Sequence, residues 1–193
     1  MGDLHLEPKS TAIYLTLPIA TSLEELSAGD QLLLSGVLYT ARDAAHQRMM
    51  QDIQNGTPLP FDPQNATIYY VGPTPARPGQ IIGSAGPTSS YRMDAYAPTL
   101  LDLGVKIMIG KGARSPEVIQ SIIKNKAVYL GAIGGAAALI AKSIRAADVI
   151  AYPDLGTEAV RRLEVVDFPA TVIIDTRGQN LYQIGPQQYL SSL

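Results

Sequence analysis

The sequence contains no cysteine. That absence excludes a disulfide, a thiol nucleophile and a thiolate metal site supplied by the chain itself. Histidine is scarce as well: His5 and His46 are too few and too far apart for a histidine metal centre. No block of Lys and Arg runs along the chain, and a formal net charge of −2 with a pI near 5.6 argues against nucleic acid as a partner. No apolar run approaches the roughly 18 residues needed to span a bilayer. MGDLHLEPKS lacks the basic-then-apolar pattern of a signal peptide, so the expectation is a cytoplasmic chain without membrane contact.

What is present suits a globular domain. The chain has 193 residues, 46% of them hydrophobic and 17% charged, enough to bury one substantial core. Repeats, low-complexity tracts and convincing linkers are missing, so the Pro-rich pieces read as loops within a single domain over residues 1–193.

Strand and helix signals alternate. TAIYLTLP reads as a strand, TSLEELSAGD as a short helical turn capped by Thr21 or Ser22, and QLLLSGVLYT as a second strand. ARDAAHQRMMQDIQNG has the apolar spacing of a helix, with Gly56 at its C-terminal cap. ATIYYVG reads as a strand, and GPTSSYRMD as the start of a helix ending near Gly104. VKIMIG is a further strand, and Ser115-Pro116-Glu117 opens a helix with proline in its first turn. AVYLGAIGG repeats the strand-then-glycine pattern, and AAALIAKSI reads as a helix. In the tail, DVIAY, RLEVVDF and ATVIIDT read as strands, with a hairpin from Arg177-Gly178-Gln179 into NLYQI. The expected class is α/β with mixed sheet order and flanking helices.

Polar residues recur where these strands end. In ARDAAH, Arg42 and His46 lie four apart, on one face of a helix that follows a strand, so the guanidinium and the imidazole can converge on one ligand, with His46 among the substrate-binding residues. The bland alternative is a solvated face, with Asp43 and Arg48 as ordinary surface charge. Thr88 and Arg92 repeat the spacing at a second junction, where Thr88 also reads as a helix N-cap. Lys111 follows a third strand in GKGARS, between glycines that let a ligand approach the backbone and before a helix whose N-terminus favours an anion. Cations gathered after successive strands suit a small anionic ligand. Planar guanidinium forks match carboxylates, which points to a dicarboxylate.

Other glycine motifs fail on spacing. Gly104 to Gly110 has one residue too many for a P-loop, and Gly112 stands where Ser or Thr is needed. GAIGGAA has Gly131, Gly134 and Gly135, which is not the dinucleotide pattern. It reads as a tight turn with close helix packing, or as an anion-binding turn.

Taken in order, SGVLYTARDAAHQRM, GPTSSYRMD, IGKGARSPEV, YLGAIGGAAALIAKSI and LEVVDFPATVIIDTRG resemble the β subunit, or C-terminal domain, of the class I iron–sulfur fumarate hydratase and L-tartrate dehydratase family. The resemblance runs from about Pro18 to about Tyr182. It implies a swivelling β/β/α domain whose site lies at the junction with a cluster-bearing α subunit, in an α2β2 assembly or a single αβ pair. The [4Fe-4S] cluster would be held by that partner, which suits a cysteine-free β subunit.

Carried over residue by residue, the resemblance implies that Thr88 is the catalytic base with Arg92 beside it. It makes Arg42 and Lys111 substrate-carboxylate ligands and gives His46 a supporting role. Ser89 departs from the commoner second threonine, a change that bears on pocket shape. Fumarate and L-malate are the expected substrates, with L-tartrate, mesaconate or a non-catalytic small-anion-binding role as alternatives.

Overall fold

The computed structural model describes residues 12–132 and 137–185. His5, the MGDLHLEPKS segment and the middle of the GAIGGAA turn lie outside the described residues. The chain forms strand β1 (Ile13–Leu17), strand β2 (Gln31–Thr40), helix α1 (Asp43–Gln54), strand β3 (Thr67–Tyr69) and helix α2 (Ala97–Asp102). It continues with strand β4 (Ile107–Gly110), helix α3 (Pro116–Asn125), strand β5 (Val128–Gly131), helix α4 (Ala137–Ser143), strand β6 (Ile144–Ala151) and strand β7 (Val160–Ile174).

The sheet order is β1-β2-β3-β4-β5-β7-β6, and β7 also pairs with β2. The extra pairing closes β2, β3, β4, β5 and β7 into a small barrel, with β1 and β6 on its flanks. Neighbours from β1 through β5 pair in parallel, whereas β7 runs antiparallel to β2, β5 and β6. The result is a mixed α/β fold with flanking helices.

Apolar alternation fills both sides of the strands. Tyr69, Ile107, Ile109, Val128 and Leu130 pack with Leu34, Leu38, Phe168 and Val172 on one side. Ile68, Tyr70, Met108, Tyr129 and Ile173 face the other way, under Ala45 and Met49 of α1, Leu100 and Leu101 of α2, and Val118 and Ile122 of α3. Every residue of β4 and β5 is buried, as expected of parallel strands covered on both faces.

Several expectations need correction. TSLEELSAGD forms turns rather than helix. Ser22 Oγ accepts from Glu24 N at 3.2 Å, and Arg177 donates to the carbonyls of Glu24 and Leu26, which a helix would have needed. GPTSSYRMD forms a 3₁₀ turn over Ser90–Met93, separated from α2. Its backbone is committed elsewhere: Thr88 N donates to Tyr70 O at 2.7 Å and Ser90 N to Lys111 O at 2.9 Å.

RLEVVDF and ATVIIDT are one strand, β7, of 15 residues. Asp167 at φ 53 bends it without ending its pairing with β2. The bend lets one half of β7 pair with β6 and the other with β5. The expected hairpin begins with a turn and an Ile174–Asn180 bridge, but residues 181–185 are helical.

Candidate active site

Strands β2, β3 and β4 end on the same rim of the barrel, and each is followed by part of the site. After β2, Arg42 takes extended backbone (φ −120, ψ −162) as the residue preceding α1. Its guanidinium lies against Gly72, where an added Cβ would come within 2.7 Å of Nη1. Glu158, from the segment before β7, accepts from Ala44 N at 2.9 Å and stands 3.4 Å from Arg42 Nη2. One carboxylate thus caps the start of α1 and holds the arginine beside it.

His46 is buried below Arg42. Its Nδ1 donates to Arg42 O at 2.8 Å, and Nε2 is buried without a hydrogen-bond partner. The ring lies edge-on to Tyr70 and stacks with Tyr96. Desolvation by burial, reinforced by the nearby Arg114 charge, lowers its pKa to about 4 against the opposing pull of Arg42 O and Asp43. The imidazole is therefore neutral at physiological pH, and its one hydrogen bond among the described residues is to the main chain of Arg42.

After β3 the chain makes a long excursion before returning to the rim. Tyr69 Oη donates to Ala85 O at 2.5 Å, and Thr74 N donates to Ser84 O at 3.0 Å, which pins the loop. Thr88 arrives outside any helix or strand, half-buried, and its hydroxyl makes no hydrogen bond among the described residues. It is not a helix cap: the residue preceding the 3₁₀ turn is Ser89, whose side chain makes no capping bond. Arg92 sits in that turn with its side chain 44% exposed, and its Nε forms an ion pair with Asp43 Oδ1 at 2.8 Å.

After β4, Lys111 pairs in parallel with Ser89 and is exposed, with no ion pair among the described residues. The loops after β3 and β4 interlock. Lys111 N donates to Ser90 Oγ at 3.1 Å, and Tyr129 Oη lies 2.9 Å from both Ser90 Oγ and Gly112 O. Gly110 makes this approach possible, because a Cβ there would stand 1.9 Å from Ser90 Oγ.

Behind the interlock, Arg114 Nε donates to Asp94 Oδ1 at 2.7 Å, and its guanidinium lies over the rings of Tyr70 and Tyr129. Asp94 Oδ2 accepts from Ser115 N at 2.7 Å. The anion expected at the start of α3 is therefore the protein's own carboxylate.

The structure thus brings Arg42, Thr88, Arg92 and Lys111 to one rim, with His46 beneath it. Sequence reasoning missed Asp43, which joins the site rather than the solvated surface, and it missed Glu158, Asp94, Arg114, Ser90 and Tyr129. Glycines at strand ends were the available signal, since Gly72 and Gly110 leave room for side chains of the site.

Fold and site together define a mixed α/β domain whose small barrel gathers cations and a free hydroxyl on one rim. Residues 4–185 match the family model described as Fumarase C-terminus, and the chain belongs to that family. It is 40% identical over 185 residues to fumarate hydratase 2 of Leishmania major, an alignment spanning 93% of this chain and 33% of the relative. It is 37% identical over 182 residues to the aerobic class I fumarate hydratase of Escherichia coli (strain K12), spanning 92% of this chain and 33% of that protein. A Methanocaldococcus jannaschii protein described as an L(+)-tartrate dehydratase β subunit is 35% identical over 167 residues, 83% of this chain and 86% of the relative. The chain thus spans about a third of the fumarate hydratases it matches. Among the described residues, no helix is long and apolar enough to cross a membrane.

Proposed function

We propose that the chain is the dicarboxylate-binding component of a hydro-lyase, interconverting fumarate and L-malate as a β subunit together with a cluster-bearing α subunit. The observation that carries this reading is the convergence of Arg42, Arg92, Lys111 and the unpaired Thr88 hydroxyl on one rim. Family membership supports the reaction class, and the name of the Methanocaldococcus relative supports a partner subunit.

The residues present do not fit an iron–sulfur cluster held by this chain. It has no cysteine, and no group of three His, Asp or Glu side chains is arranged for a metal among the described residues. The [4Fe-4S] chemistry is the partner's to supply, and this chain's share is binding and proton handling.

Dehydrating a 2-hydroxy dicarboxylate removes a proton beside one carboxylate and loses hydroxide from the adjacent carbon. Negative charge then grows on the carboxylate next to the carbanion-like carbon. Arg42, Arg92 and Lys111 hold the carboxylates and stabilise that charge more in the transition state than in the ground state. Thr88 takes or relays the proton. A free threonine is a weak base, but its half-buried hydroxyl is uncommitted and stands among cations that favour its anion. His46 keeps the supporting role of orienting Arg42. L-tartrate is the second reading, favoured by the name of the Methanocaldococcus relative.

The test is anaerobic co-purification with the cluster-bearing partner and absorbance assays of fumarate, tartrate and mesaconate turnover. Fumarate is expected to exceed the others. Thr88→Ala is expected to lower turnover by about 10²- to 10⁴-fold with assembly intact, the range for loss of an acid–base group. Near-normal turnover would remove Thr88 from the chemistry, and no turnover by an intact wild-type complex would refute the hydro-lyase reading.

A further inference from the structure

Asp43 is a carboxylate in a site otherwise furnished for anions. Its charge opposes a dicarboxylate unless it does something for the cations themselves. Its Oδ1 stands 2.8 Å from Arg92 Nε as an ion pair, and its Oδ2 stands 3.6 Å from Arg42 Nη2. The contact to Arg92 links the start of α1 to the 3₁₀ turn over Ser90–Met93, joining the loops after β2 and β3. A carboxylate between two guanidiniums also offsets their mutual repulsion.

The atoms used set the direction of the fork. Arg92 engages Asp43 through Nε, at the side of the guanidinium, so its Nη groups make no hydrogen bond among the described residues and remain open at the rim. Asp43 Oδ2 is buried without a hydrogen bond, as is Arg42 Nε. Such atoms are costly in a purely structural ion pair.

We infer that Asp43 is a positioning residue that aims Arg92 and Arg42, with the substrate carboxylate docking on the outer fork of Arg92 rather than in exchange for Asp43. The inference rests on the dicarboxylate reading above. The alternative is a placeholder, an internal carboxylate that substrate must displace, and the two differ in sign. Removing a positioning charge weakens substrate binding, whereas removing a competitor strengthens it.

The experiment measures kcat, KM and Tm for fumarate in the complex with the cluster-bearing partner, for wild type, D43N, D43S, D43E and R92Q. D43N and D43S are expected to raise KM about tenfold or more, as when the charge holding a substrate-binding cation is lost, with kcat changed less and Tm near wild type. D43E, which keeps the charge, is expected to fall between them and wild type. Reading D43S alongside D43N keeps the test intact should one variant fold poorly. Unchanged or lowered KM in D43N and D43S overturns the inference. If R92Q raises KM in that same set, the site reading survives and only the role of Asp43 falls. If R92Q has no effect, or the wild type turns over no dicarboxylate, both fall.

Discussion

His46 illustrates how a single side chain can be read correctly in spacing and still be misjudged in direction. The interval from Arg42 places both on one helical face, but it does not say whether the ring turns outward beside the guanidinium or inward under it. The inward choice is fixed by a bond the sequence does not display, Nδ1–H donating to the main-chain oxygen of Arg42 at 2.8 Å. Burial follows, and with it a pKa lowered to about 4 from 6.5, chiefly by desolvation. The unfolded chain therefore takes up a proton before the folded one does. Stability from the neutral ring is complete above 6.5 and is lost as pH falls from there through about 4. The loss from pH 7.5 to 5 is expected to be about 2 kcal/mol, and His46→Gln should lack that component. Urea unfolding of both proteins at the two pH values checks it, and parallel losses would show that the ring is not desolvated.

At the scale of elements, helices and strands bounded by local signals were legible. Ser115 and Pro116 open α3, with Ser115 Oγ accepting from Val118 N at 3.4 Å, and Gly56 at φ +69 follows α1. Elements decided by distant partners were not legible. The TSLEELSAGD turn is held by Arg177, and the 3₁₀ turn after Thr88 by Lys111 and Arg114, none of which a local window contains. The site follows the same division: its cations were visible as residues after strands, but the interlock between GPTSSYRMD and GKGARS exists through the parallel register of β3 and β4. Gly110 tests that interlock. Gly110→Ala would drive a methyl group to 1.9 Å from Ser90 Oγ, so the two loops must part. A stability loss of about 1–3 kcal/mol is expected, the usual cost of overpacking. Turnover should fall in the same variant, because Lys111 and Thr88 are carried by the separated loops. Thermal melts alongside turnover measure both effects, and a G110A protein with normal Tm and normal turnover would show that the contact does not hold the site.

For the whole molecule, α/β with mixed order followed from the alternation of strands and helices, but closure of the sheet did not. Closure depends on β7 reaching β2 along one edge while dividing its other edge between β6 and β5. That division turns on the bend at Asp167, whose N donates to Ser35 Oγ at 3.0 Å, and a window of sequence around DFPA resembles an end of strand more than a bend. Once the barrel is closed, β3, β4 and β5 have no free edge, and the loops that follow them rise from strands that cannot splay independently. β1 and β6 are different, since each pairs along one edge, and they expose Tyr14 and Val149 respectively. Amide hydrogen exchange should divide the molecule along this line. Amides of β4 and β5 are expected to exchange only through global unfolding, while the outer amides of β1 and β6 open locally at a free energy lower by about 2 kcal/mol or more. The rim that carries the candidate site stands on the protected strands, so its backbone should share their protection up to Gly110. If β4 and β5 instead exchanged as readily as β6, the barrel would be opening between β5 and β7. Arg42 and Lys111 would then be carried on strands free to separate, and preorganised charge could not be the source of the proposed catalysis.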